Sequence, residues 1–244
     1  MKVVSATNVG NYRKNNEDCY FVNESKNLYI LADGMGGHLA GERASKMATE
    51  IIASDFEKAR EVKTIEDAIE ILSSSIRDAN REIFKSSEEN EDYRGMGTTV
   101  SAGIILGSVL IYSNVGDSRI YRINKDMEQI TRDDSFVNYL MEIGEITEEE
   151  AKVHPKKNVL TKAMGTTADL DVSVNTLKIE DNDIFLFCSD GLTNMIPDEE
   201  IFKIIKENTP EVAKDKLLDL ALKNGGMDNI TFILVFNKLV GNDK

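Results

Sequence analysis

Between residues 98 and 130 the chain carries four β-rich runs: TTVSAGIIL, SVLIYSNV, SRIYRI and MEQI. Turns of a few residues separate them, such as Leu106-Gly107-Ser108 and Asn124-Lys125-Asp126. Turns that short close antiparallel hairpins, because a parallel crossover needs a dozen or more residues. Any fold for this chain must therefore contain an antiparallel sheet. Further strands are expected at residues 3–6, 19–22, 28–32, 172–177, 184–188 and 229–236. Helical periodicity links Ala44, Met47, Ala48, Ile51, Ile52 and Phe56, and again Ile65, Ala68, Ile69, Leu72, Ile76, Ala79 and Ile83. Two more helices are expected at 198–207 and 210–223. Residues 132–165 turn polar, which predicts small helices in an excursion from the main body. Hairpin strands beside paired helices predict α+β layers rather than a doubly wound parallel sheet.

Composition excludes several classes. The 244 residues carry 29 basic and 43 acidic side chains, a net charge of −14. Such a surface repels nucleic-acid backbones and anionic lipid. No apolar run approaches a membrane span, so no membrane insertion and a cytoplasmic location are expected. Cys19 and Cys188 sit in apolar runs and read as buried, reduced thiols. A cysteine-nucleophile phosphatase would need arginine six positions on, where Ser25 and Asn194 stand. His38 and His154 are the remaining soft ligands, too few for a structural zinc site. His154 reads as an exposed loop residue.

The informative pattern is acidic. Asn16-Glu17-Asp18, Ala32-Asp33-Gly34, Gly116-Asp117-Ser118, Ser189-Asp190-Gly191 and Met227-Asp228-Asn229 all fall at expected strand ends. Any one of them reads equally well as a solvated turn, and Asp181-Asn182-Asp183 is assigned only that. Five such ends in one small domain weaken the turn reading. If they converge, carboxylates ~4 Å apart repel by roughly 4 kcal/mol per pair at an effective dielectric near 20. Cations must then compensate, and an all-oxygen set selects Mg²⁺ or Mn²⁺. Arg13 suits a phosphate, which a guanidinium can hold bidentately. The glycines around Met35 make no dinucleotide fingerprint, because Leu39 stands where a glycine is required. No Gly-Lys pair exists for a phosphate-binding loop either.

In order, TNVGNYRKNNEDCYFV, LADGMGGHLAGERAS, GMGTTV, VGDSRIYRI, LFCSDGLTNMI and GGMDNITFILV resemble the motifs of the metal-dependent PP2C (PPM) protein Ser/Thr phosphatases, compact bacterial type. The resemblance spans residues from about 5 to 236. It implies a single domain, residues 1–238, with a frayed tail at 239–244. The fold it implies is a four-layer α/β/β/α sandwich of two mainly antiparallel sheets flanked by helix pairs. Residues 132–165 would form a flap near the cleft that shapes substrate choice.

The resemblance also implies roles. Two catalytic Mn²⁺ or Mg²⁺ ions would be bridged by Asp33, with the Gly34 carbonyl on one and Asp190 and Asp228 on the other. Asp117 with Asp190 would supply a third site. Glu17 and Asp18 would act through metal-bound waters, and Arg13 would bind the substrate phosphate. Met35 stands where many eukaryotic members carry an acid histidine; His38 either replaces it as proton donor or caps the helix start. The implied reaction is hydrolysis of phosphoserine and phosphothreonine in proteins. The implied setting is a monomer that reverses the work of a cognate Ser/Thr protein kinase. A non-catalytic binding module and a two-ion phosphodiesterase are the competing readings. The intact acid set opposes the first, and the −14 charge without a basic stripe opposes the second.

Overall fold

The computed structural model describes residues 1–36, 40–59 and 62–237. The expected tail at 239–244 lies outside the described residues. In chain order the strands are β1 (Lys2–Asn8), β2 (Asp18–Asn23), β3 (Leu28–Met35), β4 (Gly97–Thr98), β5 (Val100–Leu106), β6 (Val109–Val115), β7 (Arg119–Ile123), β8 (Met127–Gln129), β9 (Val174–Lys178), β10 (Ile184–Cys188) and β11 (Ile230–Phe236). The helices are α1 (Ala40–Lys58), α2 (Ile65–Glu89), α3 (Phe136–Glu142), α4 (Glu148–Val153), α5 (Asp190–Thr193), α6 (Asp198–Glu207) and α7 (Pro210–Lys223).

The strands form two antiparallel sheets. One runs β1-β11-β10-β7-β8; the other runs β2-β3-β5-β6-β9, with β4 paired to the end of β3. Three apolar clusters define the layers. Ile233 and Val235 of β11 meet Tyr29, Leu31, Phe185 and Phe187 between the sheets. Phe232, Leu234 and Phe236 of the same strand point the other way, onto Ile201, Leu217 and Ala221 of α6 and α7. On the far side, Ile30 and Ala102 pack on Ala44, Ala48, Leu72 and Ile76 of α1 and α2. The period-2 alternation of β11, buried on both faces, thus makes it central to its sheet. The result is the expected α/β/β/α sandwich.

Local signals set the helix ends. Thr64 accepts from the Asp67 N–H at 3.0 Å, and the Asp67 carboxylate accepts from the Thr64 N–H at 3.0 Å, closing a capping box at α2. Pro210 opens α7, where its missing N–H is not needed. Thr147 and Glu150 repeat the capping box at α4.

Four expectations need correction. The strand expected at 172–177 begins two residues later, at Val174. It is an edge strand bonded only to β6, so its ends lack a second partner to fix them. Helix α5 was not expected, because Ser189-Asp190-Gly191 reads as a turn. Cys188 is buried, but Cys19 is only half-buried, with Sγ 3.2 Å from Thr49 Oγ1. His154 is half-buried rather than exposed: its ring lies 6.1 Å from that of Phe136, and its Nδ1 accepts from the Lys156 N–H.

Candidate metal-dependent active site

Register alone carries the acidic stretches to one edge of the sandwich. Asp18, first in β2, lies directly opposite Asp33, near the end of β3. Val100 at the start of β5 faces Val115 at the end of β6, just before Gly116-Asp117. Arg119 at the start of β7 faces Cys188 at the end of β10, which in turn faces Phe232 of β11. Each antiparallel pairing therefore delivers one acidic turn to the same end. Arg13, Glu17, Asp33, Gly34, Asp117, Asp190 and Asp228 line a common cleft of about 200 Å³. Asp18 lies beneath it, buried, with Oδ2 accepting from Ser189 Oγ at 2.9 Å. His38 lies outside the described residues.

The cleft is electrostatically costly. Burial pushes Asp33 well above the usual carboxylate range, and repulsion from Asp18, Asp190, Asp117 and Asp228 adds to it. Burial, with smaller repulsion from Asp190, pushes Asp18 up to about 7. Burial and Asp190 push Asp117 up to about 7. Asp190 is pushed up to about 6 by burial and Asp228, although Asn194 Nδ2 donates to its Oδ2 at 2.9 Å. Burial also raises Glu17. Arg13 is the one basic side chain among the described cleft residues, and it donates to Asp228 Oδ2 at 2.7 Å. Nearby Arg119 is committed elsewhere: it is held bidentately by Asp133, with Nε 3.1 Å from Oδ1 and Nη2 2.7 Å from Oδ2.

Residues that the sequence reading passed over hold these acids in place. The Asp33 N–H donates to Thr99 Oγ1 at 2.9 Å, and its carbonyl accepts from the Thr99 N–H and Thr98 Oγ1. Thr99 Oγ1 also shares a 2.7 Å hydrogen bond with Ser118 Oγ, next to Asp117. Asn229 is a second hub. Its Oδ1 accepts from the Glu17 N–H, while its Nδ2 donates to the Val9 and Asn15 carbonyls. That side chain ties the Arg13 loop to Asp228. Asn158 and Leu160 of the excursion line the cleft as well. The GMGTTV and MDNIT segments held the only sequence signal for Thr99 and Asn229, as small polar residues beside an acidic turn. Asn158 and Leu160 had none.

The excursion is anchored to the same edge. Asp134 Oδ2 accepts from the Gly116 N–H, the Asp134 N–H donates to the Gly116 carbonyl, and Met164 bridges to Thr98.

The residues fit hard divalent cations. The donor set is entirely oxygen, its acids repel one another, and Asp18 Oδ1 is buried without a hydrogen-bond partner. A Cβ on Gly34 would fall on the Gly41 carbonyl and within 2.6 Å of the Glu17 carbonyl, so only glycine lets the backbone pass there. Among the described residues, no three acidic, histidine or cysteine side chains close around a single point as a finished cage. Arg13, Asn194 and Ser189 instead hold individual carboxylates.

Comparison with known proteins gives this arrangement a class. The profile described as Protein phosphatase 2C matches residues 11–223. The serine/threonine phosphatase stp of Listeria innocua is 39% identical over 239 residues, covering 96% of this chain and 95% of that protein. The crystal structure of serine/threonine phosphatase Stp1 from Staphylococcus aureus superposes with a TM-score of 0.92 at 40% identity, covering 98% and 95% of the two chains. The catalytic domain of the serine/threonine protein phosphatase PstP, solved in complex with two manganese ions, superposes with a TM-score of 0.84 at 31% identity, covering 96% of each chain. The chain belongs to the protein phosphatase 2C family, the metal-dependent protein serine/threonine phosphatases.

Proposed function

We propose that the acidic cleft is where this chain hydrolyses phosphoserine and phosphothreonine in proteins. In this reading Asp33, the Gly34 carbonyl, Asp190 and Asp228 hold two Mn²⁺ or Mg²⁺ ions, and Asp117 with Asp190 holds a third. The observation that carries it is the crowding of Asp18, Asp33, Asp117 and Asp190, each raised by burial and by its neighbours, beside a single arginine. Bound there, paired divalent ions would acidify a water and offset charge on the phosphoryl oxygens.

The chain's own groups do the rest. Arg13 stands half-exposed at the cleft mouth, where its planar guanidinium can take two phosphoryl oxygens. To do so it must share or release Asp228. Asn194 fixes the rotamer of Asp190, and Ser189 that of Asp18. Asn229 holds the Glu17 backbone against Asp228, so the arginine loop and the acid loop move together. Glu17 and Asp18 complete the reading as groups that order water from the cleft wall and floor. The leaving-group proton is assigned to His38 on the sequence alone.

The same reading makes the chain a monomer in the cytoplasm, paired with a Ser/Thr protein kinase whose products it consumes. Among the described residues no helix is long and apolar enough to cross a membrane. The test uses Asp33→Ala and Asp190→Ala. Each should abolish hydrolysis of p-nitrophenyl phosphate and of a phosphothreonine peptide in Mn²⁺, as EDTA should in the parent chain, and Mn²⁺ binding by calorimetry should fall with it. Parental rates in a purified, folded variant would remove these assignments.

A further inference from the structure

Phosphate contacts are the same for every substrate, so any preference among phosphoproteins must come from surface beside the cleft. Among the described residues eight large apolar side chains stand exposed. Two of them, Tyr12 at 68% and Met227 at 54%, are the chain neighbours of Arg13 and Asp228. Their loops are tied together on both sides. The Asn11 N–H donates to the Gly226 carbonyl at 2.7 Å, and Arg13 pairs with Asp228. Tyr12 and Met227 each occupy the one position between those ties on their own loop. The Asn11 side chain spends its amide on the Leu222 and Gly225 carbonyls, which locks the loop that presents Tyr12.

A third residue, Met195, is half-buried and packs on the apolar cluster beneath α6 and α7. A Cβ on Gly225 would lie 3.4 Å from Met195 Sδ and 3.4 Å from Met227 Cγ, so the two methionines neighbour each other over that glycine. Met195 also lines a larger cavity, about 730 Å³, between the excursion and the α5–α6 segment. That cavity shares Asp117, Asn158 and Asp190 with the acidic cleft. Through Met195 the two exposed side chains thus border a cavity that joins the acidic cleft at Asp117, Asn158 and Asp190.

We propose that Tyr12, Met195 and Met227 form an apolar shelf that receives a large apolar side chain flanking the phosphoresidue of the substrate polypeptide. The proposal rests on the phosphatase reading of the cleft and adds the sequence class that it prefers. Tyr12 adjoins Arg13, Met227 adjoins Asp228 and Met195 lines the cavity that meets the cleft, so the polypeptide that brings phosphate to Arg13 is the occupant. Charge points the same way: a chain of net charge −14 disfavours acidic flanks, whereas an apolar flank adds no repulsion. Thioethers are unbranched and polarisable, so one shelf can repack around leucine, isoleucine or phenylalanine. Tyrosine supplies a rigid wall at little conformational cost.

The test uses phosphothreonine decapeptides that differ only in leucine or serine at one flank position, scanned from −3 to +3. In the parent chain at least one position should favour leucine in kcat/KM by ~5-fold, the size expected for half-burying that side chain, and mainly through KM. The triple variant Tyr12→Ser/Met195→Ser/Met227→Ser should bring the ratio to about one while p-nitrophenyl phosphate turnover stays within about twofold. Met195→Leu/Met227→Leu should keep the preference. No leucine preference at any position, a preference that survives the triple variant, or an equal loss on p-nitrophenyl phosphate would each overturn the shelf. So would ultracentrifugation showing a dimer that the triple variant dissolves, since a second copy would then cover the patch. Failure of the parent chain on every phosphopeptide would instead strike the reading of the cleft.

Discussion

Thr99→Val removes one hydroxyl from beneath the acidic cleft and keeps the shape of the side chain. Thr99 is buried, and its Oγ1 is the acceptor for the Asp33 N–H at 2.9 Å and the partner of Ser118 Oγ at 2.7 Å. The opposite edge of β3 cannot take over. There the Gly34 N–H reaches the Glu17 carbonyl, which leaves the Asp33 amide facing Thr99 alone. Valine thus strands a buried N–H, at a cost of ~1–3 kcal/mol. In a chain of this size each kcal/mol moves the midpoint by roughly 2–4 °C, so thermal unfolding in EDTA should fall by about 2–12 °C. A purely local packing defect would stop there. Here the broken bond also set the position of Asp33 relative to Asp117, so calorimetric Mn²⁺ affinity should fall ~10-fold or more, as is typical when a group supporting a metal ligand is lost. Thr99→Ser should restore both. A valine variant whose midpoint moves by less than about 1 °C, or one that loses stability but keeps the parental Mn²⁺ affinity, would refute the reasoning.

Stability of the ion-free protein should depend on pH with an unusual sign. Asp117 and Asp18 titrate near 7 and Asp190 near 6 when folded, all above their ordinary values, so the folded state holds these protons more tightly. Their contribution is full below the ordinary aspartate value and is lost as pH rises through 6 to 7. In EDTA the melting midpoint should therefore be lower at pH 7.5 than at pH 5.5, and Mn²⁺ should raise it more at pH 7.5; equal Mn²⁺ shifts at both values would contradict this. Gly191→Ala places a Cβ on the Asn229 carbonyl oxygen. That overpacking should lower stability by ~1–3 kcal/mol by urea titration and pull Asp190 away from Asp228, weakening Mn²⁺ binding in step; an unchanged midpoint would show that the two segments are not in close contact.

How much of this was readable in advance differs by element. Strands such as β10 and β11 announced themselves, because residues 230–236, apolar at every position but Thr231, leave little choice. The β5–β8 hairpins followed from turn length. The long closures did not: Thr7 of β1 pairs with Thr231 of β11 across nearly the whole chain, and no local pattern encodes that. The acids were visible as residues and ambiguous as chemistry. Asp181-Asn182-Asp183 shows why. Its turn is real, with Asn182 at φ 67°, yet Asp183 is fully buried. It pairs with Arg122 Nε at 3.0 Å and takes the Glu180 N–H at 2.7 Å. By residue type it matches the site acids, but it lies at the β10 end opposite the cleft and is neutralised by protein donors.

That contrast separates a structural acid from a working one. Asp183 and Asp133 are each met by an arginine and an amide, Asn124 for the first and Gln129 for the second, so their charges are balanced within the fold. Among the described contacts the Asp33 carboxylate accepts no hydrogen bond, and the groups around it are chiefly other acids. Burying a carboxylate without a partner costs several kcal/mol, a large share of what any domain has to spare. A fold under no other demand would place an arginine there, as this one does twice elsewhere. The repeated delivery of unpaired carboxylates to one sheet edge therefore requires charge from outside the chain, and the lone Arg13 at the mouth leaves room for an anion to join it.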